Sequence, residues 1–132
     1  MMNDLEKNIY HSFSGKLVGN QTMKMAVCRV VAKLPQEIVD FITKKCWFMA
    51  SLDDAFGFTF TGNDLRDQHL IFLSDELFLE DDNQIEHTIA HEIGHVILNH
   101  RNSTVTRQSK EEITQQEIEA DQFVKKYLNT RY

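Results

Sequence analysis

The segment that most constrains this chain is residues 85–100, IEHTIAHEIGHVILNH, which combines an apolar periodicity with closely spaced histidines. Isoleucine recurs every fourth residue from Ile85 onward, which indicates an amphipathic helix with one buried side. His91 and His95 lie on the same face of such a helix, about 6 Å apart along its axis. The segment therefore predicts a partly buried helix that presents two imidazole rings to one point in space.

The pattern formed by these histidines, H-E-x-x-H, is a zinc-binding pattern when it lies on a helix. Zinc binds imidazole nitrogens at about 2.0–2.1 Å in a tetrahedral array, which His91 and His95 can supply in part. Glu92 follows the first histidine and can act as general base toward a zinc-activated water. Gly94 lets another backbone or a strand approach the helix closely. The competing interpretation is a helix with surface histidines, because the chain contains six histidines in 132 residues.

A third zinc ligand is needed, and the positions directly after the motif do not provide it. Metzincins continue with a glycine and a third histidine at fixed spacing, but here those positions hold Leu98 and Arg101. His100 is one residue out of register. A glutamate from a later helix is the alternative, as in His2Glu zinc sites.

Residues 115–124, QQEIEADQFV, contain the candidates for that glutamate. Glu117 and Asp121 lie one helical turn apart on the same face, so Glu117 can bind zinc while Asp121 accepts the N–H of a ligand histidine. Glu119 is rotated by about 200° from Glu117, so both cannot face the metal. We therefore predict Glu117 as the third ligand and keep Glu119 as the alternative.

The remaining periodicities predict an α+β fold. The predicted elements are helices over residues 3–13 and 21–34, a helix after Pro35, strands over 46–51, 56–62 and 69–74, and a last helix over roughly 111–129. The motif helix is expected to be capped by Asp81, Asp82 or Asn83. We expect one zincin-like domain over residues 1–132, in which N-terminal helices and a short antiparallel or mixed sheet precede the motif helix and the helix with the third ligand.

The composition excludes several classes of function. A formal net charge of −6 argues against a nucleic-acid-binding protein and against a binder of anionic membranes, since both carry a basic face. The chain shows no signal peptide and no apolar stretch long enough to cross a bilayer, which predicts a soluble, cytoplasmic protein. Cys28 and Cys46 form no C-x-x-C pair and are expected to be buried thiols rather than a disulfide.

The segments HEIGH, HVILNH and EIEADQF resemble the ImmA/IrrE-type zinc metallopeptidases, a minimal gluzincin family. The likeness covers roughly residues 68–127, and its specific part is confined to residues 87–123. It implies Zn²⁺ as cofactor and assigns roles to five residues: ligands His91, His95 and Glu117, general base Glu92, and Asp121 as the partner of a ligand histidine. It also implies a protein or peptide substrate, with a transcriptional repressor or stress regulator as one candidate.

Other polar residues have open roles. His87 precedes His91 by one turn and is either a fourth ligand, a proton relay or simply a polar residue beside the site. His69 begins the strand over residues 69–74, which we predict as the edge strand that holds an extended peptide; an exposed residue without a role is the alternative. The oxyanion-stabilising residue stays open among four candidates: His69, Arg107, Tyr127 and Tyr132.

The sequence therefore predicts a gluzincin-type zinc metallopeptidase that hydrolyses peptide bonds in a protein substrate, with Glu92 as general base. One alternative is a non-catalytic zinc-binding regulatory or interaction domain. A closed site with His87 as a fourth protein ligand favours that alternative, because a catalytic zinc site keeps one position open. The other alternative is a metal-free helical interaction module that carries the motif by chance.

Overall fold

The computed structural model describes residues 2–51, 57–61, 68–98 and 110–128. Their α-helices and strands are, in chain order, α1 Asp4–Ser12, β1 Leu17–Val18, α2 Gln21–Val31, α3 Gln36–Lys45, β2 Cys46–Ser51, β3 Gly57–Thr61, β4 His69–Ser74, α4 Asp82–Ile97 and α5 Lys110–Leu128. A short 3-10 helix, Asp75–Leu79, joins β4 to α4. This arrangement confirms the predicted α+β class. No helix among these elements is long and apolar enough to cross a membrane.

Local sequence signals explain where the helices begin. Asn3 caps α1 and Asn20 caps α2, each by accepting a backbone N–H of the first turn. Asp81 caps the motif helix, and its Oδ1 accepts the backbone N–H of Gln84 at 2.8 Å. Pro35 directly precedes α3, where its fixed φ suits a helix start and its missing N–H costs no intrahelical hydrogen bond. The motif helix therefore starts where its cap residues predict.

The four strands form one mixed sheet in the order β1-β2-β4-β3. Strands β1, β2 and β4 run parallel, and β3 pairs antiparallel with β4. The prediction that the strand over residues 69–74 is an edge strand is wrong, because β4 lies between β2 and β3. Its near-continuous apolar run, LIFL, is typical of a strand that is covered on both faces of the sheet. The edge strand on this side of the described sheet is β3.

The sheet and the motif helix share one apolar core. Phe48 of β2 and Ile71 of β4 are fully buried neighbours in register across the sheet. Phe13, at the end of α1, packs edge-to-face on Phe48 with ring centroids 5.7 Å apart. The predicted buried side of α4 is confirmed by its apolar residues, Ile85, Ile89, Ile93 and Val96. Because α4 contacts α2, α5 and β3, it is held on several sides.

An ion cluster fixes the first half of α4 to the end of α2 and the turn that follows it. The carboxylate of Glu86 is 11% exposed and pairs with the ammonium of Lys33, while its other oxygen lies 3.9 Å from Arg29 Nε. A buried carboxylate needs such partners, because an unpaired charge in the interior is costly. This cluster is not predictable from local sequence patterns, because Glu86 lies far along the chain from Arg29 and Lys33. The cluster turns one side of α4 toward α2 and leaves another side for α5.

Candidate metal centre

The two helices that carry the predicted site residues face each other along their polar sides. His87, His91 and His95 follow one another at four-residue spacing on α4, and Glu117 and Asp121 do so on α5. His91 and His95 contact Glu117, whereas His87 and His91 contact Asp121. The helices run antiparallel here, because residues later in α4 lie beside residues earlier in α5. The side chains thus form a ladder with one step per turn.

Three donor atoms converge at the step formed by His91, His95 and Glu117. The Nε2 atom of His91 lies 2.7 Å from Glu117 Oε2 and 3.1 Å from His95 Nε2. The Nε2 atom of His95 lies 3.2 Å from Glu117 Oε1. Ligand atoms around a tetrahedral zinc ion at about 2.0–2.1 Å lie about 3.3 Å apart. Two of the observed separations, 3.1 and 3.2 Å, are close to that value and the third, 2.7 Å, is shorter. The donor set is that of a His2Glu zinc site.

The hydrogen bonding of His91 adds an electrostatic reason for a cation. Its Nδ1 atom lies 3.1 Å from Asp121 Oδ1, which is the geometry of an Nδ1–H group donating to the carboxylate. In that neutral tautomer Nε2 carries only a lone pair, and the lone pair faces the carboxylate of Glu117 at 2.7 Å. Two acceptors at this distance repel each other unless a proton or a metal ion lies between them. The arrangement therefore calls for positive charge at this point.

The site is buried on the α4 side and open on the α5 side. The side chains of His95 and His91 are 10% and 15% exposed, whereas that of Glu117 is 52% exposed. Glu92, the predicted general base, is buried on the motif helix next to His91. A molecule in solution can therefore reach the histidine nitrogens past Glu117.

Gly94 allows α5 to approach the motif helix. A β-carbon at this position would lie 3.2 Å from the ring of Phe123 and 3.3 Å from its Cβ. The glycine predicted that another backbone or a strand approaches here, but the neighbour is the side chain of Phe123. This contact helps to bring Glu117 and Asp121, which lie on the same helix as Phe123, within reach of the histidines.

His87 lies beside the site in a different grouping. Its Nε2 atom lies 3.6 Å from Asp121 Oδ1, and its ring stacks on that of His91 with centroids 5.9 Å apart. Burial lowers the pKa of His87 below its ordinary value, Asp121 opposes this shift and His91 reinforces it. Among the described residues, two groups of possible metal ligands occur, His91–His95–Glu117 and His87–His91–Asp121. His87 thus belongs to a second group that shares His91.

The other candidate residues lie away from these groups or outside the described residues. Glu119 lines a pocket together with Ile97, Phe123 and Tyr127. His69 begins β4, and its ring centroid lies 5.9 Å from that of Phe41 on α3. Three further candidates, His100, Arg107 and Tyr132, fall outside the described residues. The structure therefore brings together Glu117 and Asp121, not Glu119, with the histidines of α4, and the roles of these residues stay predictions.

The comparison with known families agrees with this geometry. A family model for Peptidase M78, described as the IrrE N-terminal-like domain, matches residues 45–129. The chain belongs to this family. The match confirms the resemblance noted from the sequence, and its range includes β2, β3, β4, α4 and α5. No curated protein and no solved structure matches the chain.

Membership in the Peptidase M78 family supports a peptidase-type enzyme and a metal-dependent one. All five residues of the α4–α5 ladder fall within the matched range. The ion cluster of Glu86 is only partly inside this range, because Arg29 and Lys33 precede it. The M78 match thus coincides with the elements that build the candidate metal centre.

Proposed function

We propose that this chain is a zinc-dependent metallopeptidase that hydrolyses peptide bonds in a protein substrate. The observation that carries the proposal is the convergence of His91 Nε2, His95 Nε2 and the Glu117 carboxylate, at separations of 2.7–3.2 Å. Two imidazole nitrogens and one carboxylate oxygen are the donor set of catalytic His2Glu zinc sites. The match to the Peptidase M78 family and the donor set of His91, His95 and Glu117 therefore both support a metallopeptidase activity.

The number of donors supports a catalytic site rather than a structural one. Structural zinc sites are closed by four protein ligands, whereas catalytic sites have three and keep one position for water or substrate. Among the described residues, the His91–His95–Glu117 group has three donors, and His87 belongs to the neighbouring group. The half-exposed side chain of Glu117 gives substrate a route to the fourth position.

Each residue of the proposed site then has a separate task. Zinc, when bound, polarises the carbonyl of the scissile bond and lowers the pKa of the attacking water. Glu92 takes a proton from that water and passes it to the leaving amine. Asp121 accepts the Nδ1–H of His91 and so keeps the lone pair of Nε2 directed at the metal.

We further propose that β3 holds the substrate chain. This strand is the edge of the described sheet next to β4, and it lies against the motif helix. An edge strand offers unpaired backbone N–H and C=O groups, with which an extended peptide can pair. A transcriptional regulator as substrate, a cytoplasmic location and the gluzincin class stay predictions.

The test combines zinc content with cleavage of a library of unstructured peptides, with products identified by mass spectrometry. Wild-type protein is expected to hold zinc and to cleave some of the peptides. Glu92→Gln is expected to keep the zinc and to cleave at least about 100-fold more slowly, because general-base catalysis contributes about that much or more. Glu111→Gln, an exposed carboxylate on α5, serves as the matched control and should leave both quantities unchanged.

Two results would contradict the proposal. Cleavage by Glu92→Gln at the wild-type rate would exclude Glu92 as the general base. Zinc content that is unchanged in His95→Ala would exclude the proposed site. A wild-type protein that binds zinc through His95 but cleaves nothing would instead support the non-catalytic zinc-binding domain.

A further inference from the structure

The side of α5 that faces away from the candidate metal centre borders a pocket of about 270 Å³. Its apolar wall is built from Ile97 and Leu98 at the end of α4 and from Phe123 and Tyr127 of α5. Leu98 is 41% exposed, so solvent reaches this wall. A pocket with an apolar wall is typical of a surface that binds another molecule.

Two opposite charges lie on the α5 side of this pocket. Glu119 and Lys126 both line it, and they lie seven residues apart on one face of α5, about 10.5 Å along the helix axis. Side chains of one helix pair over three or four residues, so this spacing is too long for a pair within the helix. The ammonium of Lys126 lies 5.1 Å from the centroid of the Tyr127 ring, which holds it beside the pocket.

The order of these charges makes α5 complementary to an antiparallel copy of itself. We propose that two copies of this chain associate through the pocket side of α5, around a twofold axis that passes between Gln122 and Phe123. Glu119 precedes Gln122 by three residues, and Lys126 follows Phe123 by three. In two antiparallel copies of the helix, Glu119 of each copy therefore faces Lys126 of the other, and one contact forms two ion pairs.

The apolar wall of the pocket adds a hydrophobic component to this association. The four-carbon stem of a lysine can lie on apolar side chains while its ammonium reaches a carboxylate. Lys126 of one copy can thus cover Leu98 of the other and pair with Glu119. A second copy supplies both charges at the required spacing, because it carries the same helix.

The size of the contact sets the strength of the dimer. A standard stable interface buries about 800 Å² on each partner, and one side of a single helix provides less. We therefore expect a weak dimer that forms as the protein concentration rises. Ion pairs at an exposed surface are screened by salt, so the dimer should dissociate more readily at high ionic strength.

Association on this side of α5 leaves the candidate metal centre accessible. Glu117 is rotated by about 200° around the helix from Glu119. The carboxylates of Glu117 and Asp121 contact the histidines of α4 on that opposite side. Each copy in the dimer therefore keeps its own metal centre open, and self-association does not depend on the proposed peptidase activity.

The test is sedimentation velocity of the full chain over a wide range of concentration, with charge-reversal variants. Wild-type protein should shift from monomer to dimer as its concentration rises. Lys126→Glu and Glu119→Lys should each weaken the dimer by about tenfold or more, because by symmetry each change turns both ion pairs into like-charge contacts. The double variant should associate like wild type, since it restores both pairs in reversed order. Lys125→Glu changes the net charge equally at an exposed residue outside the pocket and should not weaken the dimer.

The pattern of variants separates this twofold contact from other uses of the pocket. A chain that stays monomeric at every concentration would overturn the proposal, as would a dimer that survives both single reversals. Loss of the dimer in the single variants without recovery in the double variant would exclude the pairing of Glu119 with Lys126. Urea denaturation of each variant checks that the single reversals leave the monomer folded.

Discussion

Asp121 Oδ1 lies 3.1 Å from Nδ1 of His91, on the side of the ring opposite to the nitrogen that faces Glu117. One carboxylate of α5 thus contacts the back of the imidazole, and another contacts its front. Because the ring is held between them, the sequence positions of two acidic residues determine the tautomer of a histidine on another helix. The first two predictions test this pair of carboxylates.

Replacement of Asp121 should weaken zinc binding without removing a ligand of the proposed catalytic site. Asp121→Ala is expected to lower the affinity for the zinc ion of this site by about 10–100-fold, the usual cost of losing the hydrogen-bond partner of a ligand histidine. Chelator competition measures this affinity. Glu111→Ala on the same helix is the control, and an affinity of Asp121→Ala within twofold of wild type would contradict the prediction.

Glu117 and Glu119 offer a matched pair of substitutions on α5. Glu117 contacts both His91 and His95, whereas Glu119 lines a pocket with Ile97 and Phe123. Glu117→Ala should therefore lower zinc affinity by more than the roughly 10–100-fold typical of a supporting residue. Glu119→Ala should change it by no more than a few fold. Elemental analysis and chelator competition decide between them, and the opposite order would assign the ligand role to Glu119.

Gly94→Ala should destabilise the fold. Alanine gains about 0.8–1.0 kcal/mol of helix propensity over glycine, but its Cβ would lie 3.2 Å from the ring of Phe123, and overpacking of this kind costs about 1–3 kcal/mol. We expect a net loss of about 1 kcal/mol in the free energy of unfolding, measured by urea denaturation. Phe123→Leu in the same background should reduce the cost, as a double-mutant cycle would show. A variant more stable than wild type would refute this account of the helix contact.

The two cysteines should be unreactive in the folded protein. Burial raises the pKa of the Cys28 thiol, with a smaller contribution from Glu6, and burial likewise raises that of Cys46, in each case to about 12 from an ordinary 9.0. Because the thiolate is the reactive form, a disulfide-exchange reagent at pH 8 should label both thiols at least about 100-fold more slowly before unfolding than after it. Rapid labelling of the native protein would contradict the predicted burial.

The raised pKa values of the two thiols also make the stability of the fold depend on pH above 9. A thiol whose pKa is raised in the folded state adds stability that is fully present below pH 9.0 and is lost as pH rises toward about 12. The double variant Cys28→Ala with Cys46→Ala should therefore show a smaller loss of unfolding free energy between pH 9 and pH 11 than wild type. Equal losses would exclude a thiol contribution.

Much of the fold follows from local signals. The cap residue Asp81, the proline before α3 and the isoleucine stripe of α4 each place an element where the structure has it. The three predicted strands match β2, β3 and β4 closely in position. These features depend on residues within one or two turns of each other, which is why the sequence alone reveals them.

The pairing of the strands was predicted less well. The strand over residues 69–74 was expected at an edge, whereas β4 pairs with β2 on one side and with β3 on the other. The two-residue strand β1 was not predicted at all. The order of strands in a sheet depends on which distant segments of the chain pair. Neither the hydrophobic periodicity of a strand nor its turn residues identify the strand with which it pairs.

The sequence by itself determined the spacing within each helix: His87, His91 and His95 on one face, and Glu117 and Asp121 on another. Only the tertiary structure decided which histidine of α4 contacts which carboxylate of α5. The alignment of the two helices depends on nonlocal packing, such as that of Phe123 on Gly94. That alignment places Asp121 beside His87 and His91, and Glu117 beside His91 and His95. Four-residue periodicity is a property of any single helix, whereas the relative height of two helices is fixed by side chains that pack across chain-distant surfaces.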